Sequence, residues 1–185
     1  MHTPSDRQPV RTNRWRRLIW GSAAFVLLLP AIAMQITGEV AWDTADFVAM
    51  GLMLCIACGA YELGVRMSHS TAYRAGFAVA IATGFLIVWV NLAVGIIGDE
   101  GNPANLAFAG VLVLAGAVAL IGRLRPAGMV CAMFAAAAAQ LAVAAYAALV
   151  ARSLEGALAA LVFTGAWLFA AWLFARAPGA GQAAR

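Results

Sequence analysis

Six stretches of the chain are almost uninterrupted apolar sequence, and polar residues gather in the short segments between them. The runs lie near Leu18–Ile36, Ala45–Val65, Ala75–Ile97, Asn105–Gly122, Gly128–Val150 and Ala157–Ala175. A helix crosses about 30 Å of hydrocarbon in about 20 residues, close to the length of each run. None of the runs alternates polar and apolar positions with a period of two, as the strands of a membrane barrel do. Helices are the reading, because a helix satisfies its own backbone in lipid. The pattern predicts an all-α fold, a polytopic transmembrane bundle of six helices. Residues 1–17 form a basic cytoplasmic segment, 18–175 one transmembrane domain, and 176–185 a cytoplasmic, flexible tail.

Composition identifies the solvent. The chain is 64% hydrophobic and 11% charged, against about 45–50% and about 25% in soluble domains. With this little polar surface the chain needs the lipid bilayer around it.

Charge then orients the helices. All twelve basic residues are arginine. Arg7, Arg11, Arg14, Arg16, Arg17, Arg66, Arg74, Arg123, Arg125, Arg176 and Arg185 fall on one side of the six-span scheme, and Arg152 alone on the other. The acids Glu39, Asp43, Asp46, Asp99, Glu100 and Glu155 lie mostly opposite them. Arginine bias in short loops marks the cytoplasmic side, so both termini are placed in the cytoplasm. The arginine and alanine bias suggests a bacterial chain, hence the inner membrane. Topology explains the net charge of +4, and scattered arginines do not form a nucleic-acid face. One alternative concerns the first run: basic residues, an apolar stretch and Ala31-Ile32-Ala33 also fit a cleaved signal peptide. Cleavage would leave five helices. The run continues to Ile36, which favours retention.

Local signals agree with the spans. Trp15, Trp20, Trp42, Tyr73 and Trp172 fall near span ends, where amphipathic rings settle. Asn102-Pro103 reads as a cap followed by a first-turn proline. Asp43 and Asp46 suit the positive end of the second helix. Pro30 interrupts the hydrogen-bond ladder of the first.

Candidate chemistry is sparse. Glu62, near the end of the second helix, is a proton or cation site or else an interfacial ion pair with Arg66 four residues on. Asn91, Gln35 and Gln140 fit hydrogen bonds between helices. Asn91 also keeps company with Gln35, Asp43, Asp46, Asp99, Glu100, Asn102 and Asn105, which could line a polar vestibule that attracts cations. The bland reading of that set is caps, turn residues and exposed charges. Gly51, Cys55 and Gly59 recur every four residues and form a small-residue ladder for helix packing. The same ladder accounts for Cys55-Ile56-Ala57-Cys58 better than redox chemistry does, since a thiolate is disfavoured at mid-bilayer. His2 and His69 both fall on the cytoplasmic side, so no zinc or haem site is expected. No catalytic motif is legible, and the expectation is no enzyme and no cofactor.

The stretch from Trp89 to Leu106, WVNLAVGIIGDEGNPANL, resembles uncharacterised multi-pass inner-membrane proteins of proteobacteria. The similarity extends to the basic N-terminus and to Tyr61-Glu62-Leu63. It implies a multi-pass membrane protein and carries no functional residues over. Two function classes follow from the residues. One is a small solute or ion transporter or channel-like protein using Asn91, Glu62 and the acidic loop. The other is a non-catalytic membrane subunit, or assembly or regulatory partner, that packs its small-residue faces against a homo-oligomer or a membrane-protein partner.

Overall fold

The structure is a computed structural model that describes residues 10–38 and 40–179, with side chains from residue 16 onward. Glu39, Arg185, His2 and Arg7 lie outside the described residues, as do the side chains of Arg11, Arg14 and Trp15. Six α-helices account for the described chain: α1 (Val10–Ile36), α2 (Thr44–Met67), α3 (Thr71–Ala93), α4 (Leu106–Ile121), α5 (Pro126–Leu149) and α6 (Leu154–Ala175). All six are long and apolar enough to cross a membrane, α4 together with the 3-10 turn Pro103–Asn105 that leads into it. The chain is therefore an all-helical, multi-pass membrane protein. Its exposed leucines, valines, isoleucines and phenylalanines face the lipid that such spans require.

The chain divides into two compact units, Met1–Glu62 and Leu63–Arg185. In the first unit, α1 begins at Val10, inside the segment read as a basic extension. Arginine is a good helix former, so nothing in that segment stops the helix before it leaves the hydrocarbon. Helix α1 continues through Pro30. It runs antiparallel to α2: Arg16 Nε donates to Glu62 Oε1 at 2.9 Å, and the Gly51 position faces Leu27. The start of α2 is closed reciprocally. Asp46 N–H donates to Asp43 Oδ1 and Asp43 N–H to Asp46 Oδ2, at 3.0 and 2.9 Å. Trp42, just before the cap, packs edge-on against Phe47 with centroids 5.3 Å apart. This is a capping box with its hydrophobic staple.

The second unit packs α3 against α6, α6 against α5, and α5 against α4, while α3 and α4 barely meet. Apolar burial does not drive helices together in lipid, so close contact between small side chains must do so. The α5–α6 interface is built that way: Ala132, Ala136, Ala147, Ala160 and Ala170 are wholly buried. At the arginine-rich end, Tyr73, Phe77 and Phe174 form a ring cluster with centroids 5.2 to 6.3 Å apart. The Tyr73 hydroxyl donates to Leu124 O at 2.6 Å, tying α3 to the α4–α5 turn. Arg74 donates to the Ser68 and Val65 carbonyls and so closes the end of α2. Its charge thus serves a helix terminus.

The α4–α5 turn depends on two glycines. A Cβ on Gly122 would lie 2.6 Å from Gly128 Cα, and the reverse contact is equally short. Only backbone surrounds these positions, so the helices would have to part. We expect Gly128→Ala to destabilise the protein by about 1–3 kcal/mol, read as a lower Tm of the purified protein in lipid nanodiscs. An unchanged Tm would show that the turn yields freely.

Candidate functional site

At the acid-rich end of the second unit, the chain between α3 and α4 does not simply cross the membrane surface. Helix α3 ends at Ala93, and Gly95, at φ +73°, brings its N–H back onto Val90 O. A Cβ at Gly95 would run into the Asp99 carbonyl, so the left-handed turn and the close approach both call for glycine. Ile96 and Ile97 then turn inward and are buried. They lie against the first turn of α6, where a Cβ on Gly156 would come 2.7 Å from Ile96 O.

This inward detour breaks regular hydrogen bonding, and one amide restores it. Asn105 Oδ1 accepts from the N–H groups of Ile96 and Ile97 at 3.1 and 2.9 Å. Its Nδ2 donates to Asp99 O at 2.7 Å and to Ile97 O at 3.4 Å. Asn102 Oδ1 accepts from Ala104 N–H at 3.0 Å and caps the single 3-10 turn Pro103–Asn105 that leads into α4. The cap and first-turn proline expected at Asn102-Pro103 are both present.

Because α3 and α4 hardly touch, the loop roofs a pocket of about 460 Å³ between them. Asn91, Glu100, Asn102 and Asn105 contribute its polar lining, and Ile87, Leu106, Phe108 and Leu112 much of its apolar wall. Asn91 Nδ2 donates to Ile87 O at 2.8 Å, one turn back on its own helix. That carbonyl can only accept, so the amide orientation is set and Oδ1 is turned away from it. Asn91 Oδ1 is buried and has no hydrogen-bond partner among the described residues. The carboxylate of Glu100 is exposed at the rim.

The structure thus gathers four of the residues singled out from sequence, namely Asn91, Glu100, Asn102 and Asn105. Asp99 belongs to the same loop, where its backbone carbonyl accepts from Asn105 and its side chain is exposed. Glu62 lies in the other unit, at its boundary. Arg16 Nε and Trp20 Nε1 both donate to its Oε1, at 2.9 and 2.8 Å. These α1 partners, 46 and 42 residues away, leave no local signature in the sequence. Asp43 and Asp46 cap α2, as their helix-end position suggested. Of the ladder residues, Gly51 faces Leu27 Cδ2 at 3.8 Å from an added Cβ, while Gly59 has nothing within 4 Å among the described residues. Cys55 is exposed and Cys58 buried, and both are free thiols, as is Cys131.

Two side chains stand out that sequence reasoning passed over or read otherwise. Gln140 is wholly buried in α5, and neither end of its amide has a partner among the described residues, so it is not bonded across helices. Trp167 Nε1, also buried, is unpartnered too. A tryptophan inside an apolar run reads as packing, and nothing in its spacing reveals that its N–H is stranded. Among the described residues, no group of three or more His, Cys, Asp or Glu could hold a metal ion.

No protein-family model, no curated protein and no solved structure matches the chain. Its class therefore rests on its own architecture, that of a multi-pass helical membrane protein.

The loop geometry makes a graded prediction. Asn105→Ala strands two buried N–H groups, each costing about 1–3 kcal/mol, whereas Asn102→Ala removes one cap worth about 1 kcal/mol. Thermal unfolding in nanodiscs should therefore rank Asn105→Ala well below Asn102→Ala. Equal losses would mean that the Asn105 amide is not what holds the loop.

Proposed function

We propose that the protein is a small transporter or channel-like protein of a bacterial inner membrane, and that the pocket between α3 and α4 admits a small cationic solute from the side opposite the cytoplasm. The arginine split supports that orientation, with the acid-rich end outward. The observation that carries the reading is Asn91 Oδ1, a buried acceptor left unpartnered in the lining of a pocket. Such an atom calls for a donor. Glu100 supplies negative charge at the rim, and the last carbonyls of α3 present the negative end of the helix dipole nearby. A donor that is also a cation fits both. The apolar walls suit a short alkyl group, which makes an alkylammonium ion the natural probe.

The test is thermal unfolding of the full chain in nanodiscs with ethylammonium, followed by uptake of the same ion into proteoliposomes. A ligand at one hundred times its Kd stabilises by about 2.7 kcal/mol, so Tm should rise saturably. Asn91→Leu and Glu100→Gln should each abolish the rise, and tetraethylammonium, with no N–H to donate, should give none. A flat Tm with ethylammonium, or a rise that survives Asn91→Leu, counts against the reading.

The second reading is a non-catalytic membrane subunit. It draws on the open space at Gly59 and the exposed thiol of Cys55 beside it, a surface on which a partner helix can approach closely. Native mass spectrometry after mild extraction decides it. A stable complex that Gly59→Leu dissolves supports the subunit, and a monomer with measurable ethylammonium flux rejects it.

A further inference from the structure

Among the described residues three polar side chains are buried, Thr83, Gln140 and Thr164, and they come from three different helices. The helix registers bring them to similar depths. Gly76 of α3 lies against the ring of Phe174 in antiparallel α6. Seven residues on from Gly76 is Thr83, and seven back from Phe174 is Trp167, each about 10 Å along its axis. At the opposite end, Ser153 N–H donates to Ala147 O at 2.9 Å where α5 turns into α6. Seven residues back along α5 from Ala147 is Gln140. Eleven along the returning chain from Ser153, which starts about one turn higher, is Thr164. Thr83, Gln140, Thr164 and Trp167 thus fall within about one helical turn of one another in depth, near the middle of the spans, on helices that pack through α6.

The chemistry of the layer is specific. Thr83 and Thr164 donate to the carbonyls of Val79 and Ala160, at 2.8 and 2.9 Å, which leaves their oxygen lone pairs free to accept. Gln140 offers two N–H donors and a carbonyl acceptor, and Trp167 one further donor; none of these has a partner among the described residues. The buried neighbours along the same helix faces include Ala136, Ala137, Ala144 and Ala160, whose side chains carry no polar atom. No charge is present in the layer, so neither a cation nor an anion would find compensation there. The donor and acceptor set suits a neutral molecule that both gives and takes hydrogen bonds, and water is the smallest of these.

We propose that the α3–α6 unit holds a buried water-binding site at mid-span, seated on the Gln140 amide and completed by the Trp167 indole N–H and the hydroxyls of Thr83 and Thr164. The site is separate from the pocket at Asn91 and does not depend on the solute proposed there. It explains why a glutamine stands where an alanine-packed interface would otherwise exclude it, since an unsatisfied amide is costly in a lipid-embedded core.

X-ray radiolysis of the full chain in nanodiscs, read by mass spectrometry, tests the site, because hydroxyl radicals formed from bound water oxidise the side chains beside it. Trp167, though 2% exposed, should be oxidised in the wild-type protein. Phe174, wholly buried in the aromatic cluster of the same helix, should stay unmodified. Gln140→Leu should remove the Trp167 label, and Gln140→Met, which keeps the side-chain length, should do the same and guards against a folding defect in the first variant. An unlabelled Trp167 in the wild-type protein overturns the proposal. So does a label that persists in the folded Gln140→Met variant, or one that appears equally on Phe174.

Discussion

Hydrocarbon offers no hydrogen bonds, and every backbone group inside a bilayer must find its partner within the protein. That constraint makes each long apolar run a helix. It also makes the few places where the helices stop or bend the most closely bonded parts of the molecule. The segment 94–105 shows the consequence. Its backbone turns inward under α6, and a single side chain, Asn105, takes up two N–H groups and two carbonyls. Where α2 begins, two aspartates and two aromatic rings do comparable work.

Packing between the helices follows from the same solvent. Lipid tails match leucine in polarity, so helices gain little by hiding leucine and more by close contact. Accordingly buried alanines crowd α5 and α6, the α4–α5 turn is glycine on glycine, and many leucines and valines face outward. Larger buried side chains are exceptions, Ile87, Met129 and Met133 among them, and so are several aromatic rings. Tyr73, Phe77 and Phe174 fill the arginine-rich end of α3 and α6, with Gly76 leaving room for the Phe174 ring. The loose α3–α4 pair is the other exception, and the pocket lies there.

Within this economy an unpartnered polar atom is conspicuous. Buried polar groups are nearly always bonded, and in this unit the departures concentrate in two places: Asn91 in the pocket lining, and Gln140 with Trp167 at mid-span. Glu62 is a contrasting case. A carboxylate on a membrane-spanning helix invites a functional reading, yet Arg16 and Trp20 supply it with donors, and it joins α1 to α2.

The number of helices, their approximate ends and the cap at Asn102 were legible in the sequence, because hydropathy and capping act over one span or one turn and depend little on what lies across the bundle. The nearness of Glu100, Asn102 and Asn105 was legible too, since a short loop keeps sequence neighbours close in space, but the wider polar set also held Gln35, Asp43 and Asp46, which belong to the other unit. Tertiary structure alone decided which of those amides brace the backbone and which is left open. That depends on where Ile96 and Ile97 turn inward and on what α6 presents to them. It alone decided that Glu62 meets α1, and that Gln140 and Trp167 are buried without partners among the described residues. Helix register across the bundle is set by the contacts of alanines, glycines and aromatic rings distant in the chain, and no local spacing records it.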